Sequence, residues 1–412
     1  MDLNEYSLFY IDRFQGDLKS MRLLVSADVH LGSPIRSVAM RNPDLGDHLK
    51  QASRNSFIRI VDLAISENVE VLVLAGDIFD NDQPDLKSRA FLISQLARAA
   101  EAGVPTVLIR GNHDALLDHR AHGDLGPNIH LLHKNEPSVE IGDVWFHGLS
   151  FDTAHVSKSF LPDYPAPVTG QRNVGLMHTS LDGSPAHDPY APCSEQDLLA
   201  YGYDLWCLGH IHTPFERTSG PVLAVMPGIP QPRHFGERTG GTVAIVELDD
   251  DMPKIQRHHV GYLRFTECAL DFSQSSDVQE VLSALRSALQ GAQHPDYHTA
   301  VRLQVSTGHH TAEILTALAN ELLDNIERVF IDKIKVVVPK QQIDAKADDL
   351  VRLMRAELTE PGLQLATKEI LEELRNALPR EIAGELSENA LDDLLEEAIT
   401  EVTLSLHSGA AE

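Results

Sequence analysis

The sequence predicts an α/β fold on the basis of two observations. From Met21 onward, apolar runs too short for helices alternate with longer stretches in which apolar residues recur at helical spacing. The short runs are apolar throughout, which is typical of strands buried on both faces of a sheet. The 412 residues exceed what one hydrophobic core usually supports, so we also expect more than one domain.

The first domain is predicted from eight strands and two amphipathic helices. The expected strands are Leu23–Ala27, Val69–Ala75, Thr106–Ile109, Val144–Ser150, Val174–Met177, Leu205–Leu208, Val222–Val225 and Thr242–Leu248. Helical spacing recurs from Phe57 to Ile65 and from Phe91 to Ala100, which predicts helices that cover the sheet. The last two strands have no helix between them, so we expect an antiparallel closing part of this domain.

A domain boundary is expected near Val260. Residues 21–260 would form the first domain, and residues 261–340 show strand, helix, strand, helix, strand, which predicts a compact second domain. Residues 1–20 precede the first strand as an extension for which the sequence suggests no role.

Residues 341–412 are helical and acidic, and two interpretations of this tail stay open. Its apolar residues fall on one helical face: Leu391, Leu394, Leu395, Ala398 and Val402. This face could pack against other helices of the same chain in a bundle, or it could bind a helix of a partner protein. Composition alone favours packing at home, because most amphipathic helices pack in this way.

Composition favours a protein of the cell interior. No apolar run approaches the roughly 20 residues of a membrane span, and Met1–Ser20 does not show the pattern of a secretory signal. Three cysteines without CxxC spacing indicate neither a disulfide framework nor a thiolate metal site, so a reducing cytoplasm is expected. The net charge of -27 repels polyanions unless a local cationic groove or bound metal overrides it.

Five polar segments stand where predicted strands end. They are Asp28-Val29-His30, Gly76-Asp77-Ile78-Phe79-Asp80, Gly111-Asn112-His113-Asp114, His178, and Gly209-His210-Ile211-His212. Because ligands bind at the carboxyl ends of strands in α/β sheets, side chains from separate strands can converge there. Any one segment alone is more often structural, but five in this order indicate a common site.

The residue types and their spacing indicate a transition-metal site. Asp28 and His30 are separated by one residue, which directs both side chains to the same side of an extended chain, and His210 and His212 repeat this spacing. A glycine precedes Asp77, Asn112 and His210, and we expect it to let the backbone turn sharply and leave room for ions. Imidazoles with carboxylates and an amide oxygen suit Mn²⁺, Fe or Zn²⁺ better than Mg²⁺ or Ca²⁺.

The order DxH, GDxxD, GNHD, H, GHxH resembles the calcineurin-like metallophosphoesterase superfamily over about residues 21 to 250. The resemblance implies a four-layer α/β/β/α sandwich, followed here by a small α/β capping domain and a helical C-terminal tail. It also implies two divalent metal ions. One would be held by Asp28, His30, Asp77 and His212, and the other by Asp77, Asn112, His178 and His210, with Asp77 as the bridge.

Three neighbouring residues receive catalytic or supporting roles. The resemblance implies that His113 contacts the phosphate and helps to protonate the leaving oxygen, a task for which imidazole is suited. Asp114 could orient or charge His113. We interpret Asp80 as a hydrogen-bond acceptor that contacts the metal ligands without binding metal itself. The alternative for His113 is that it only hydrogen-bonds to a ligand.

Further segments resemble bacterial SbcD/YhaO-type DNA repair exonucleases. These are GDIFD followed by Asn81 to Pro84, GNHD, GHIH, and the run from Met226 to Glu237, in which Ile229 replaces the usual Ser or Asn. The resemblance implies a Mn²⁺-dependent DNA exonuclease that works with an SbcC-like coiled-coil ATPase held by the C-terminal helices, and this favours the docking interpretation of the tail.

The substrate contacts and the substrate itself stay open. Arg233, His234 and Arg36, with Arg41, Arg54 and Arg238, are candidate phosphate contacts or else ordinary surface residues. The alternatives to a DNA exonuclease are an enzyme that hydrolyses a nucleotide or other small phosphodiester, and a catalytically silent scaffold for an ATPase. The sequence also leaves a homodimer open.

Overall fold

The computed structural model describes residues 20–35, 49–81, 84–117, 125–181, 190–249, 252–338, 345–358, 360–377 and 390–409. Residues 1–19 of the predicted extension and the candidate contacts Arg36 and Arg41 lie outside these residues. The chain divides into two units. Among the described residues, the first holds 20–34, 50–232 and 239–262, and the second holds Ile35, Leu49, Arg233–Arg238 and the residues from Leu263 onward.

The first unit contains two six-stranded sheets. Their strands in chain order are β1 (Met21–Ser26), β2 (Val71–Ala75), β3 (Thr106–Ile109), β4 (Ile129–Leu131), β5 (Ser138–Ile141), β6 (Val144–Gly148), β7 (Arg172–His178), β8 (Leu205–Gly209), β9 (Phe215–Ser219), β10 (Val222–Met226), β11 (Thr242–Leu248) and β12 (Lys254–His259). One sheet has the order β12-β11-β1-β2-β3-β4 and the other β5-β6-β7-β8-β10-β9. In the first sheet β1 to β4 are parallel, and in the second β6, β7, β8 and β10 are parallel.

The two sheets bury a shared apolar layer. Leu23, Val73 and Val107 of one sheet pack in the same buried cluster as Phe146 and Leu176 of the other. Every residue of β2 and β3 is buried, because a second layer covers the opposite face of the sheet. The uninterrupted apolar runs of the sequence therefore correspond to strands covered on both sides.

Helices form the outer layers of this unit. The helix α1 (Ala52–Ser66) buries Phe57, Ile60 and Val61, and α2 (Leu86–Glu101) buries Leu92 and Leu96 against the first sheet. The second sheet is covered by the short α3 (Glu195–Leu199), a 3₁₀ turn at Leu161–Asp163 and a cluster of aromatic residues. The predicted α/β/β/α sandwich is thus confirmed.

The second unit is built on three parallel strands with two crossover helices. The elements are β13 (Leu263–Asp271), α4 (Val278–Ala292), β14 (His298–Ser306), α5 (Ala312–Leu323) and β15 (Val329–Val337). Asp277 caps α4 by accepting from the backbone N–H of Gln279, and Thr311 caps α5 by accepting from Ile314. This element order is the one predicted for residues 261–340. The predicted division of the chain into domains stays a prediction.

Three further helices follow: α6 (Ala345–Leu358), α7 (Pro361–Ala377) and α8 (Ala390–Gly409). The helix α8 is attached to the second unit, because Leu404 lies in its core at 3% exposure and Glu397 accepts from Lys333 Nζ at 2.7 Å. Part of the tail therefore packs against its own chain. No described helix is both long enough and apolar enough to cross a membrane.

The attachment of α8 predicts a difference between two leucines of the tail helices. Leu404→Ala should lower the opening free energy of β14 and β15 by about 2–5 kcal/mol, because it leaves a cavity in the core. Leu353→Ala, at a position 62% exposed, should change it by less than about 0.5 kcal/mol. Native-state hydrogen exchange of these strands measures both values. Equal effects of the two substitutions would contradict the packing of α8.

Candidate metal centre

The five polar segments follow parallel strands of both sheets. Asp28 and His30 follow β1, Asp77 and Asp80 follow β2, and the GNHD segment follows β3. His178 is the last residue of β7, and His210 and His212 follow β8. The carboxyl ends of these strands therefore deliver the candidate ligands to one edge of the sandwich.

The segments after β1 and β2 run side by side beyond the ends of the strands. The backbone N–H of Asp28 donates to the carbonyl of Gly76 at 3.1 Å, and that of His30 donates to Asp77 at 3.0 Å. The N–H of Leu31 continues the series with the carbonyl of Ile78 at 2.8 Å. These hydrogen bonds hold three candidate ligands, Asp28, His30 and Asp77, in a fixed register.

Four of the candidate ligands have left-handed backbone conformations. The φ angles are 53° at Asp28, 45° at His30, 51° at Asp77 and 96° at His210. Non-glycine residues rarely adopt such angles, which cost of order 1–3 kcal/mol each and cluster at functional sites. The backbone is therefore strained at the residues whose side chains must converge.

The donor atoms of the predicted ligands meet in two overlapping groups. Those of Asp28, His30 and His212 lie within 4.8 Å of one another, and so do those of Asp28, Asp77 and His178. The Nε2 atoms of His30 and His212 are 3.3 Å apart. Both groups contain ring nitrogens and carboxylate oxygens directed at a common space.

Asn112 joins the remaining histidines to these groups. Its Oδ1 lies 3.0 Å from Nε2 of His178 and 3.2 Å from Nδ1 of His210. All seven predicted ligands, Asp28, His30, Asp77, Asn112, His178, His210 and His212, are thereby brought together. Their assignment as ligands stays a prediction.

The two sheets are joined through the same residues. The backbone N–H of His210 donates to both carboxylate oxygens of Asp28 at 3.0 Å. Nδ1 of His178 lies 3.0 Å from the carbonyl oxygen of Ala75. Each contact links the end of a strand in one sheet to the other sheet, so the site depends on the pairing of both.

The surroundings of His178 show that this space suits a cation. A carbonyl oxygen only accepts, so Nδ1–H of His178 donates a hydrogen bond to the carbonyl oxygen of Ala75. When the ring is neutral, Nε2 therefore carries a lone pair. That lone pair faces Asn112 Oδ1 at 3.0 Å and Asp77 Oδ2 at 3.3 Å, which are also acceptors. A positive charge, either a proton or a metal ion, satisfies three converging lone pairs, and the donor set is that of a transition metal.

The charges of the two buried aspartates also indicate that this space suits a cation. Asp28 is 0% and Asp77 is 2% exposed, and burial of unpaired carboxylates is costly. Burial raises the pKa of Asp28. Burial alone would also raise the pKa of Asp77, but the imidazole of His178 and then that of His30 hold it well below its usual range. Burial alone would lower the pKa of His178. The charge of Asp77 and the hydrogen bond to Asp77 outweigh burial and raise the pKa of His178 to about 9.

His113 is exposed at the rim of this group of residues. Its backbone N–H donates to Asp77 Oδ1 at 2.9 Å, and its Nδ1 lies 2.9 Å from the carbonyl oxygen of Asp80. The Nδ1–H is therefore the donor of that contact, and Nε2 is the nitrogen left to meet a substrate. A ring nitrogen also lies within 4.8 Å of donor atoms of His30 and Asp77, so the imidazole is next to the predicted metals.

Asp114 contacts backbone amides. Its Oδ1 accepts from the N–H of Gly111 at 2.7 Å, and its Oδ2 accepts from Ile78 at 2.9 Å and Phe79 at 3.4 Å. Burial, with the nearby charge of Asp77, raises its pKa to about 6. These contacts indicate that Asp114 holds the loops after β2 and β3 together, whereas its predicted catalytic role stays a prediction.

The glycines of the segments are required for two different reasons. Gly76 has φ 91°, and a Cβ there would lie 2.5 Å from Nδ1 of His178. Gly111 and Gly209 are not left-handed, but a Cβ at Gly111 would lie 2.1 Å from Asp77 Oδ1, and one at Gly209 would lie 2.1 Å from the carbonyl oxygen of Ala75. The expected sharp turn therefore holds for Gly76, and close approach explains the other two.

Two of the candidate substrate contacts, Arg233 and His234, are paired with a carboxylate. Arg233 Nη2 donates to Glu237 Oε1 at 2.9 Å, and Nε2 of His234 lies 3.5 Å from the same oxygen. Glu237 is buried at 7% exposure. Since this carboxylate offsets the charge of Arg233, the predicted role of Arg233 and His234 in binding phosphate stays a prediction, and Arg36 lies outside the described residues.

Two features of the site were not predicted from the sequence. The ring of Tyr190 lies 5.0 Å from that of His210, and Phe151 packs edge-on against His178 at 5.8 Å. Both are aromatic and not polar, and only Phe151 follows a predicted strand, so the pattern of polar residues at strand ends does not mark them. Ile229, which replaces the usual polar residue, is fully buried.

Comparison with known proteins agrees with this geometry. Residues 21–214 match the model of the calcineurin-like phosphoesterase family. The chain is 27% identical over 286 residues to the uncharacterized metallophosphoesterase YhaO of Bacillus subtilis, covering 65% of this chain and 69% of YhaO.

Two archaeal proteins named DNA double-strand break repair protein Mre11 are also similar. That of Sulfurisphaera tokodaii is 25% identical over 260 residues, which cover 59% of this chain and 64% of that protein. That of Sulfolobus acidocaldarius is 23% identical over 345 residues, covering 78% of this chain and 85% of that protein.

The chain thus contains a calcineurin-like metallophosphoesterase domain, a type of domain found in hydrolases that typically bind two divalent metals. Its homologues include YhaO and archaeal proteins named DNA double-strand break repair protein Mre11.

The crowding at Gly111 predicts the effect of a single methyl group. Gly111→Ala should displace the Asp77 carboxylate and weaken binding of Mn²⁺ at least tenfold, because coordination demands close geometry. Isothermal titration of metal-free protein with Mn²⁺ measures this. Gly291→Ala is the matched control, since a Cβ there meets nothing within 4 Å. Unchanged Mn²⁺ affinity in the Gly111 variant would show that Asp77 does not bind metal.

Proposed function

We propose that the protein is a Mn²⁺-dependent two-metal phosphodiesterase that acts as a DNA exonuclease in DNA repair. The observation that carries the proposal is the convergence of seven predicted ligand side chains from both sheets, with the buried carboxylate of Asp77 among them. The names of the Mre11 relatives support DNA as the substrate.

The first proposed ligand set contains one group of donor atoms, and the second rests on the contacts of Asn112 Oδ1 with His178 and His210. Asp28, His30 and His212 would hold one metal, and Asn112, His178 and His210 the other, with Asp77 shared between them. Two divalent cations supply Lewis acidity to the oxygens of a phosphodiester and to water. Mn²⁺ is our choice among the transition metals that accept this mixture of imidazole and oxygen ligands.

The residues of the chain have separate tasks in this proposal. Asp77 holds a negative charge at the centre of the site, where it would bind both cations, and it also accepts from the backbone N–H of His113. His113 keeps one ring nitrogen on the carbonyl of Asp80 and presents the other outward. It would hold a proton at Nε2 and transfer it to the leaving oxygen, as imidazole can near neutral pH.

Ile229, which stands where the resemblance leads us to expect Ser or Asn, is 0% exposed and offers no polar group, so it permits the rival substrate. The rival substrate, a nucleotide or other small phosphodiester, is favoured by the net charge of -27 and by the pairing of Arg233 with Glu237.

The proposed activity predicts release of nucleotides from the ends of linear duplex DNA in the presence of Mn²⁺. Asp77→Ala should abolish it, because the shared ligand is lost. His113→Ala should lower the turnover number by about 10²–10⁴-fold at saturating metal, because a proton donor is lost. Release of nucleotides from end-labelled DNA measures both.

Asp62→Asn serves as the control, because Asp62 is a surface residue paired with Arg98. Hydrolysis of small phosphodiesters without attack on DNA would support the rival substrate. Turnover without metal would contradict the two-metal proposal. Absence of any turnover would contradict the enzyme assignment.

We also propose that the C-terminal helices dock an SbcC-like coiled-coil ATPase. Although α8 is attached to the second unit, the tail helices expose large apolar side chains at 40–62%: Leu350, Leu353, Leu363, Leu365, Ile370, Leu374 and Leu394. Large exposed apolar side chains are candidates for an interaction surface. The resemblance to SbcD-type nucleases selects a coiled coil as the occupant, since helices recognise apolar helical faces through such anchors.

The docking surface predicts a loss of partner binding without a loss of hydrolysis. Leu353→Ser with Leu365→Ser should weaken binding of an SbcC-like coiled-coil ATPase at least tenfold, because both leucines are 62% exposed. Biolayer interferometry with the purified ATPase measures the affinity. Hydrolysis of bis(p-nitrophenyl) phosphate should not change. Binding that is unaffected by both substitutions would place the partner elsewhere.

The proposed location is a reducing cytoplasm. All three cysteines, Cys193, Cys207 and Cys268, are free thiols. Burial raises the pKa of Cys207 above its usual range, which keeps this thiol protonated and inert. Such thiols are usual in proteins of reducing compartments.

A further inference from the structure

We propose that Ser138 is an activated nucleophile that accepts an acyl group from an electrophilic ester, on the outer face of the second sheet. His147 is the base that takes the proton of the serine hydroxyl, and Asn173 positions His147. The site shares no residue with the candidate metal centre, so the inference goes beyond the proposed function and does not depend on it.

Three neighbouring strands place these side chains on one face of the sheet. Ser138 opens β5 and lies directly opposite His147 of β6 in the antiparallel pair. Asn173 of β7 lies opposite Trp145, two residues before His147, so it is the diagonal neighbour of His147 on the same face. Because β5 is the outermost strand of the sheet, Ser138 is half-buried at its edge, whereas His147 is buried.

The hydrogen bonds of the Asn173 amide fix the position of the proton on the ring of His147. Nδ2 of Asn173 donates to the carbonyl oxygens of Val168 at 3.1 Å and Gln171 at 2.8 Å. Oδ1 accepts from the N–H of Val168 at 2.8 Å and lies 3.0 Å from Nε2 of His147. The amide therefore has one orientation, and since its oxygen only accepts, Nε2 of the imidazole carries the proton.

The other ring nitrogen is thereby set to accept from the serine. Nδ1 of His147 lies 2.7 Å from Oγ of Ser138 and carries a lone pair when Nε2 is protonated. The hydroxyl of Ser138 is therefore the donor of this contact. Burial lowers the pKa of His147, and the hydrogen bond to Asn173 offsets this only in part, so the ring is neutral and can take a proton near neutral pH.

This order of groups is the one by which hydrolytic enzymes activate a serine: a hydroxyl, an imidazole, and an acceptor that orients the imidazole. In the acyl transfer, Oγ of Ser138 forms a bond to the acyl carbon while its proton passes to Nδ1 of His147. The bond from the acyl carbon to the oxygen of the leaving group breaks, and that oxygen keeps the electron pair. The imidazolium then releases its proton to water.

Aromatic packing holds the imidazole and stabilises its charged form. The ring of Tyr203 stacks on that of His147, with centroids 4.7 Å apart and an angle of 22° between the planes. A cation at this distance from an aromatic face is attracted to it, which favours the imidazolium formed during the transfer. Gly175 lies opposite His147 in β7 and leaves room for this ring, since a Cβ there would lie 2.8 Å from Cδ2 of Tyr203.

A second serine of the same chain provides a matched comparison. If the contacts of Ser138 served only to tie the edge strand to the sheet, Ser138 would react no faster than a serine bonded to a backbone amide. Ser194 is such a serine, because it is also half-buried and its Oγ accepts from the N–H of Asp197 at 3.0 Å. The ratio of the two rates therefore separates activation from a purely structural role.

The test measures acetylation of the full chain by p-nitrophenyl acetate. Peptide mass spectrometry over time gives the rates at Ser138 and at Ser194 in each sample. His147→Gln keeps a polar side chain without the base, and Asn173→Ala leaves the tautomer of His147 unfixed. Thermal melting shows whether each variant is folded.

We expect Ser138 of the wild type to be acetylated at least about 100-fold faster than Ser194, because a positioned general base contributes about 10²–10⁴-fold. In folded His147→Gln the rate at Ser138 should fall to within about threefold of the rate at Ser194. Asn173→Ala should lower the ratio of the two rates at least about tenfold, because an imidazole in the wrong tautomer cannot accept from the serine.

Two results would overturn the inference. One is acetylation of Ser138 and Ser194 at similar rates in the wild type, which decides the matter even if the variants do not fold. The other is a folded His147→Gln variant in which Ser138 is acetylated at the wild-type rate. Neither result bears on the metal centre, because none of its predicted ligands takes part.

Discussion

The candidate centre depends on the buried carboxylate of Asp77. This group has little access to water, so the neighbouring residues must compensate its charge. His178 faces one oxygen, the backbone N–H of His113 donates to the other, and Gly111 lacks the side chain that would collide with it. One carboxylate therefore constrains two separate segments, the strand end at His178 and the segment from Gly111 to Asp114, which explains why substitutions at different positions should have related effects on metal binding.

The two-sheet architecture is what allows this carboxylate to be surrounded. Parallel strands of one sheet supply Asp28 and Asp77, and the facing sheet supplies His178 and His210. The apolar layer between the sheets fixes their separation, and left-handed residues turn the chain where the strands end. The stability of the sandwich thus offsets the local strain, as is usual where a rigid scaffold holds a functional site. Asp80 and Asp114 then connect neighbouring loops.

Much of this arrangement could be predicted from the sequence. The runs Thr106–Ile109 and Thr242–Leu248 match their strands residue by residue, because strands covered on both faces leave uninterrupted apolar segments. The strands Phe215–Ser219 and Lys254–His259 were missed, because both are rich in polar residues at or near a sheet edge. The spacing of the polar segments predicted convergence, whereas the packing of Tyr190 on His210 depends on a loop distant in sequence and leaves no local pattern.

The central claim is that the strand ends of both sheets form one centre for two metals. Anomalous diffraction from crystals grown with Mn²⁺ tests it most directly, because it locates the ions without reference to any substrate. The account predicts two anomalous peaks roughly 3.5–4 Å apart, with Asp77 in contact with both. A single peak, or peaks away from Asp77, would contradict it.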